Sequence, residues 1–306
     1  MRRSMGVALA VVTGLALLAG ALSTRQSATR VSTPAVEVKG KSAGSTSSGA
    51  RGAIPELVPE GARPAPAAPK PERMLLVGDS VAFSLKDQLI VAGWANGIAL
   101  YNASVSGCSV IGGITTDTEG TPFPWSEGCA GGIPAYHERM VAMFQPQLVV
   151  WLSAWESVDR ILDDGTWARF GTVAGNQQIM AEIDKAAQRL TAGGARLVIV
   201  ALAPPPPDAP DKHEAAVNLP LLNTMLRDYA HDHADKVFIV EMAELLCTTD
   251  TCPSTVEGVV PRPDGVHFDD TNSGRWVADH LIPMLLAPVI PAEPSDRVKR
   301  ASAIPG

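Results

Sequence analysis

The chain has 306 residues, of which 46% are hydrophobic, and a formal net charge of −7 at pH 7. Residues 1–70 hold nine of the 25 Lys and Arg and three of the 32 Asp and Glu, which leaves a net charge of −13 for the remainder. A surface this acidic repels nucleic acid and anionic lipid. The composition therefore argues against a nucleic-acid partner and favours a neutral substrate.

The N-terminus carries two arginines followed by an apolar run from Met5 to Leu22. This pattern is typical of a secretory signal, and Ala19-Gly20-Ala21 is similar to a cleavage site. The run also has about the length of one membrane-spanning helix, roughly 17–25 residues, with the arginines on the cytoplasmic side. We therefore predict a signal peptide or membrane anchor over 1–22. In either case the rest of the chain is extracytoplasmic, anchored or secreted.

The chain after this run divides by composition into three parts. Residues 23–70 are rich in Ser, Ala and Pro and cannot bury a core, so we predict a disordered linker. Residues 71–288 have the length and apolar content of one domain. Residues 289–306 are predicted to be a disordered tail.

The four cysteines are Cys108, Cys129, Cys247 and Cys252. An even number in an exported chain favours disulfides. The spacing predicts the pair Cys108–Cys129, across a Gly/Thr/Pro-rich loop, and the pair Cys247–Cys252. A zinc site is the alternative, although C-x2-C spacing and a nearby histidine pair are both missing.

Within the domain, short apolar runs alternate with longer amphipathic segments. Strands are predicted over 74–77, 100–103, 148–152, 196–202 and 237–240, and helices over 81–95, 133–144, 172–192, 219–233 and 273–286. Strand–helix alternation with continuously apolar strands predicts an α/β fold, a three-layer α/β/α sandwich around a mainly parallel five-stranded sheet. Ligands of such sheets bind at the carboxyl ends of the strands.

The first predicted strand ends at Gly78-Asp79-Ser80. A serine at a strand-to-helix turn presents its hydroxyl at the edge of the sheet, near the positive end of the helix dipole. Such a serine is a candidate nucleophile. The alternative is that Asp79 or Ser80 only caps the helix.

A second motif, Asp264-Gly265-Val266-His267, precedes the last predicted helix. A serine hydroxyl needs a base to remove its proton, and that base needs an orienting partner. An aspartate three residues before a histidine, on a turn that Gly265 permits, can reach the imidazole. The alternative is a surface turn with a solvated histidine.

Together these motifs resemble the SGNH (GDSL-type) hydrolase superfamily over residues 74–286, nearly the whole domain. The matching residues are Val77–Ser80, Gly107 after the second strand, and Asp264–His267. The sequence around these motifs is most similar to that of SGNH domains fused to acyltransferase-3 membrane proteins. That likeness is carried by Asn102-Ala103 with Gly107-Cys108, by Val149–Ser153 with Trp155-Glu156 and Asp159-Arg160, and by Arg262–Phe268.

The resemblance implies the role of each site residue. Ser80 is then the nucleophile, His267 the general base and later acid, and Asp264 its orienting partner. The backbone N–H groups of Ser80 and Gly107 would stabilise the oxyanion, where one donor typically contributes a factor of about 100 or more. The resemblance implies no metal or organic cofactor.

The chain departs from the superfamily at one motif, Gly-x-Asn-Asp, whose Asn supplies a third oxyanion donor. The aligned residues here are Ser153-Ala154-Trp155-Glu156. The oxyanion hole would then have two donors, or borrow one such as the Trp155 indole N–H. Trp155, Glu156 and Trp125 are candidate substrate-binding residues, and Trp125 and Trp167 lie in loops expected to border the site. In the structural alternative, Trp155 covers the sheet, Glu156 pairs with Arg160, and the loop tryptophans only pack.

These features predict an exported serine esterase or O-acyltransferase. Its substrates would be short acyl esters, with acetyl the expected group, on cell-envelope polysaccharide or another acylated glycan. A transferase would need a separate membrane acyl donor protein. The alternative is a catalytically degenerate domain that binds glycan from a membrane tether. A long-chain lipase is less favoured, because residues 107–133 contain no large apolar lid segment.

Overall fold

The computed structural model describes residues 70–209, 214–248, 251–268 and 272–288. The predicted signal or anchor over 1–22, the linker up to residue 69 and the tail from 289 lie outside the described residues. Among those that are described, no helix has the length and hydropathy of a membrane span.

The described residues form eight strands and seven helices, with a 3₁₀ turn at Trp155–Ser157. The strands are β1 (Arg73–Gly78), β2 (Ala99–Asn102), β3 (Ile114–Thr115), β4 (Leu148–Leu152), β5 (Arg160–Ile161), β6 (Trp167–Ala168), β7 (Arg196–Ala201) and β8 (Val237–Glu241). The helices are α1 (Ser80–Ala95), α2 (Ser126–Ala130), α3 (Gly132–Phe144), α4 (Val173–Thr191), α5 (Glu214–Asp232), α6 (Ala243–Leu246) and α7 (Asn272–Leu286).

Five strands form the central sheet in the order β2-β1-β4-β7-β8, and every neighbouring pair is parallel. All five residues of β4 are buried, as expected for a strand covered on both faces. Right-handed crossovers place α1 on one face and α3, α4 and α5 on the other. The contacts of α1 with α7 and of α3 with α4 agree with this arrangement. The predicted α/β fold with a mainly parallel five-stranded sheet is confirmed.

The predicted strands and helices are all present, and most ends agree within one residue. The exception is α5, which begins at Glu214 rather than at the predicted residue 219. Pro220 lies inside α5, although a proline in a helix interior leaves one helical hydrogen bond unmade, and for that reason nothing in the sequence indicated that the helix extends before it. The antiparallel sheet β3-β5-β6 was not predicted, because its two-residue strands are too short to show alternation.

Both predicted cysteine pairs are joined in the structure, Cys108 to Cys129 and Cys247 to Cys252. The first bridge packs with Ile133 in a small apolar cluster of its own. It connects the loop after β2 to helix α2.

Candidate active site

Strand β1 ends at Gly78, where the backbone approaches the neighbouring strand closely. A Cβ on this residue would lie 1.9 Å from the carbonyl oxygen of Leu152, and its φ is +154°. Only glycine fits this position. The chain turns here directly into α1, so that Ser80 is the first helical residue and lies at the carboxyl edge of the sheet.

Asp79, between that glycine and Ser80, is completely buried. One carboxylate oxygen caps α1 by accepting the Val81 N–H at 2.8 Å. The other accepts the Ser153 hydroxyl at 3.0 Å and the N–H groups of Ala154 at 2.7 Å and Trp155 at 3.0 Å. Burial raises the pKa of Asp79, and these hydrogen bonds oppose that rise. One carboxylate thus holds both the start of α1 and the segment after β4.

From the sequence, Asp79 was expected only as a helix cap. Its second role depends on the segment that follows β4, which lies more than seventy residues away in the chain. The available signal was an aspartate directly after a fully apolar strand, because a buried carboxylate requires several donors.

The structure brings Ser80, His267 and Asp264 together in a continuous hydrogen-bonded chain. His267 Nε2 lies 2.7 Å from Ser80 Oγ, and Nδ1 lies 2.7 Å from Asp264 Oδ2. Because a carboxylate only accepts, Nδ1 carries the proton and Nε2 is left to accept the Ser80 hydroxyl. This tautomer leaves Nε2 available as a base.

The loop before α7 holds this pair in place. Asp264 Oδ1 accepts the N–H groups of Val266 at 2.8 Å and His267 at 2.7 Å. Gly265 has a φ of +89°, and a Cβ there would lie 2.4 Å from that of Ala209. These contacts fix the turn that carries the aspartate and the histidine.

The electrostatics of the pair favour an ionised carboxylate. Burial alone would raise the pKa of Asp264, but the hydrogen bonds from His267 Nδ1 and from two backbone N–H groups together lower it below its ordinary value. The side chains are still partly open to water, with 54% of Asp264 and 40% of His267 exposed. Asp264 therefore remains charged throughout the neutral range.

Gly107 follows β2 at the same edge of the sheet. Its φ is +78°, and a Cβ there would lie 3.0 Å from Cδ1 of the Trp125 indole. Its loop is tied to the end of β1, because the Val105 N–H donates to the Gly78 carbonyl at 2.9 Å. The disulfide at Cys108 anchors the other side of the loop.

An aromatic cluster borders this loop. Trp155 is 7% exposed, and its ring centroid lies 5.5 Å from Phe123 and 6.1 Å from Trp125 in edge-on contacts. Trp125 stacks on Phe123 at 5.2 Å and is 48% exposed. Trp155 is therefore largely buried in this cluster, whereas Trp125 offers ring surface to solvent.

Trp167, the other loop tryptophan, lies in β6. Its indole N–H donates to Thr116 Oγ1 at 3.2 Å, and the Arg169 guanidinium lies 4.9 Å from its ring. It is 37% exposed. These contacts show that Trp167 packs locally against Thr116 and Arg169.

The structure corrects the expectation that Glu156 binds substrate. The side chain is 1% exposed, and Oε1 accepts the Val110 N–H at 2.8 Å. Burial raises the pKa of this carboxyl. The alternative, pairing with Arg160, is present only as an attraction between the two buried charges, because no direct ion pair among the described residues joins them. Arg160 instead donates to the Trp155 carbonyl at 2.6 Å and to Ser109 Oγ at 3.0 Å.

A cavity of about 220 Å³ opens beside the Ser80 hydroxyl. Ser80 and His267 stand on one side of it, with Ala154 and Trp155 from the end of β4. Asp79 and Val81, beside Ser80, also line it. Its remaining walls come from the segment after β7, from α5, from the residue after β8 and from the loop before α7: Leu202, Ala203, Pro205, Ala216, Leu219, Met242, Arg262, Asp264, Gly265, Val266 and Phe268. Gly107 and Trp125 do not line it.

A family model described as "SGNH domain (fused to AT3 domains)" matches residues 50–271. The chain belongs to this SGNH-domain family. No curated protein matches the chain.

Solved structures similar to this SGNH domain include esterases and acetyltransferases. A GDSL-like lipase from Bacteroides thetaiotaomicron is 16% identical, with a TM-score of 0.47, over 72% of this chain and 89% of that one. The periplasmic domain of a lipopolysaccharide acetyltransferase from Salmonella ser. Paratyphi A is 11% identical, with a TM-score of 0.45, over 70% and 82%. The catalytic domain of Streptococcus pneumoniae peptidoglycan O-acetyltransferase A is 16% identical, with a TM-score of 0.35, over 72% and 96%.

Proposed function

We propose that this SGNH domain is a serine esterase or O-acyltransferase that works through an acyl-Ser80 intermediate. The observation that carries the proposal is the hydrogen-bonded chain from Ser80 through His267 to Asp264, with both links at 2.7 Å. The distances and the tautomer are those that a serine nucleophile and its general base require.

In the first half-reaction, Ser80 Oγ bonds to the ester carbonyl carbon while its proton passes to His267 Nε2. The imidazolium formed is stabilised by the Asp264 carboxylate. The carbonyl oxygen becomes an oxyanion, for which we propose the Ser80 and Gly107 N–H groups as donors. The C–O bond to the alcohol then breaks, and His267 returns the proton to the leaving oxygen.

In the second half-reaction, a water or a sugar hydroxyl loses its proton to His267 Nε2 and attacks the acyl carbon. Collapse of this intermediate breaks the bond to Ser80 Oγ, which takes the proton back. Water gives hydrolysis and a sugar hydroxyl gives transfer. The same side chains serve both outcomes, so the acceptor decides between esterase and acyltransferase.

The third donor of the superfamily, an Asn side chain, is replaced by Trp155. In this proposal the backbone N–H groups of Ser80 and Gly107 carry the oxyanion between them. Gly107 is suited to this, because the Trp125 ring and the Cys108 disulfide hold its loop. Preorganised donors need no rearrangement during the reaction.

We further propose that the alcohol portion of the substrate is a cell-envelope glycan and that the domain acts outside the cytoplasm. The two disulfides support an oxidising compartment. Trp125, nearly half exposed above the Gly107 loop, offers a ring face on which a sugar can stack. Transfer would use a separate membrane acyl donor protein, and the N-terminal segment would tether the domain if it is not cleaved.

The test is acylation of the purified full-length chain by p-nitrophenyl esters. We expect a burst of p-nitrophenol, and mass spectrometry should place the acyl group on Ser80. The Ser80→Ala variant should show neither. Absence of acylation with every ester, together with unchanged glycan binding by Ser80→Ala, would replace this proposal by the glycan-binding alternative.

A further inference from the structure

Much of the wall of the cavity beside Ser80 is apolar. This part of the wall is formed by Leu202, Ala216, Leu219, Met242 and Phe268, each no more than 5% exposed. Such walls favour a hydrocarbon guest, because each methylene moved out of water is stabilised.

The charged side chain in this wall does not change that character. Arg262 is 7% exposed, and its two terminal nitrogens donate to the carbonyls of Ala203 and Pro204, both at 2.8 Å. Burial lowers the pKa of this guanidinium to about 10. A sugar ring against the apolar part of the wall would leave hydroxyls without partners, which is unfavourable. The glycan therefore belongs outside the cavity and the acyl group inside it.

The volume then sets the length of the acyl group. At about 30 Å³ per water-sized atom, a cavity of about 220 Å³ has room for about seven non-hydrogen atoms. The methyl of an acetyl group would occupy about one of these places. Unfilled apolar space forgoes contacts that a longer chain would make.

We propose that this cavity is an acyl pocket that takes unbranched chains of about four to eight carbons, in preference to the acetyl group expected from the sequence. The inference rests on the proposed function, because it assigns the acyl half of that substrate. Ala216 and Leu219, about one turn apart on α5, both line the pocket, and a change in their size changes the room it offers.

The test is the kcat/KM of the full-length chain for p-nitrophenyl esters from acetyl to dodecanoyl. Each value is divided by the rate constant for hydrolysis of the same ester by hydroxide. Each ester is used below its critical micelle concentration. Each added methylene should raise kcat/KM about fourfold until the pocket is full. Beyond about eight carbons, kcat/KM should fall.

Two variants that change the pocket in opposite directions make the test specific. Ala216→Leu adds three carbon atoms to the wall and should shorten the preferred chain by about three carbons. Leu219→Ala removes three and should lengthen it by a similar amount. Val217→Leu, at a neighbouring position that is 61% exposed, is the matched control and should keep the wild-type profile. Thermal unfolding of each variant shows whether it is folded.

The outcomes separate this inference from the proposed function. If Ser80-dependent hydrolysis occurs but acetyl is the best substrate, the acyl pocket is wrong and the proposed function stands. The same holds if both α5 variants are folded and keep the wild-type profile. If no ester of any length acylates Ser80, the proposed function fails, and the acyl pocket fails with it.

Discussion

Replacing Asp264 by asparagine should lower kcat about 100-fold, and the structure shows why an isosteric change has this effect. In one orientation, the asparagine oxygen keeps the N–H bonds from Val266 and His267, and its NH₂ group then faces Nδ1. Nε2 must then carry the proton, and His267 cannot accept one from Ser80. In the other orientation Nδ1 is satisfied, but both backbone N–H groups face the NH₂.

The productive orientation therefore gives up two hydrogen bonds. Each costs about 1–3 kcal/mol when its donor is left unsatisfied. A value of about 1.5 kcal/mol for each, in the lower half of this range, applies here, because the Asp264 side chain is 54% exposed and water reaches the loop. The sum is about 3 kcal/mol, or about 100-fold in rate. This is less than the loss of about 10⁴-fold for the same change at a buried catalytic aspartate.

The assay is single-turnover acylation of the full-length chain, which separates chemistry from product release. Asp164→Asn is the matched control, since that aspartate also accepts a nearby backbone N–H, from Thr166, on an exposed turn. A loss below about fivefold in Asp264→Asn, with unchanged thermal stability, would refute the orienting role. A loss equal to that of Ser80→Ala would refute the argument from solvent exposure.

Three further predictions concern backbone fit and pH. Gly78→Ala should prevent folding, as judged by circular dichroism, because its Cβ would lie 1.9 Å from the Leu152 oxygen; a folded variant would contradict the close approach. Gly107→Ala should lower kcat at least tenfold with little change in stability, because the new Cβ would lie only 3.0 Å from Cδ1 of the Trp125 ring and would displace the Gly107 N–H. An unchanged kcat would show that Gly107 is not part of the oxyanion hole. Burial, with the nearby positive charge of Arg189, lowers the pKa of His137 from 6.5 to about 4. Between those pH values the unfolded chain takes up a proton that the folded chain excludes. The free energy of unfolding therefore decreases by up to about 3 kcal/mol as the pH is lowered from 6.5 to about 4. The free energy of unfolding of His137→Gln, measured with urea, should not show this decrease at low pH. The same pH dependence as in the wild type would contradict the prediction.

The central sheet was predictable because its strands are continuous apolar runs and its helices have clear boundaries. The positions of Ser80 and of the Asp264–His267 pair were predictable for a related reason. Each depends on a turn whose residues are neighbours in the chain. That the two turns meet follows from the parallel sheet, which brings β1 and the final loop to one edge.

The segment after β4 could not be predicted in the same way. Trp155 lines the cavity while Glu156, the next residue, is buried and bonded to the Val110 N–H. Which of two adjacent residues faces inward is decided by the 3₁₀ turn and by hydrogen bonds to the buried Asp79. These are long-range contacts that leave no periodic trace in the sequence.

The buried carboxylate of Asp79 has a consequence for how the domain could change its substrate. Its two oxygens hold the helix of the nucleophile and the β4 side of the cavity, so a substitution that shifts Trp155 would also disturb Ser80. The α5 wall is not held by Asp79, but it is bonded to the same segment, because Asn218 Nδ2 donates to the Ser157 carbonyl at 2.8 Å. A change of acyl preference along α5 would therefore have to keep the Asn218 hydrogen bond, whereas a change in the β4 wall would have to keep the hydrogen bonds of Asp79.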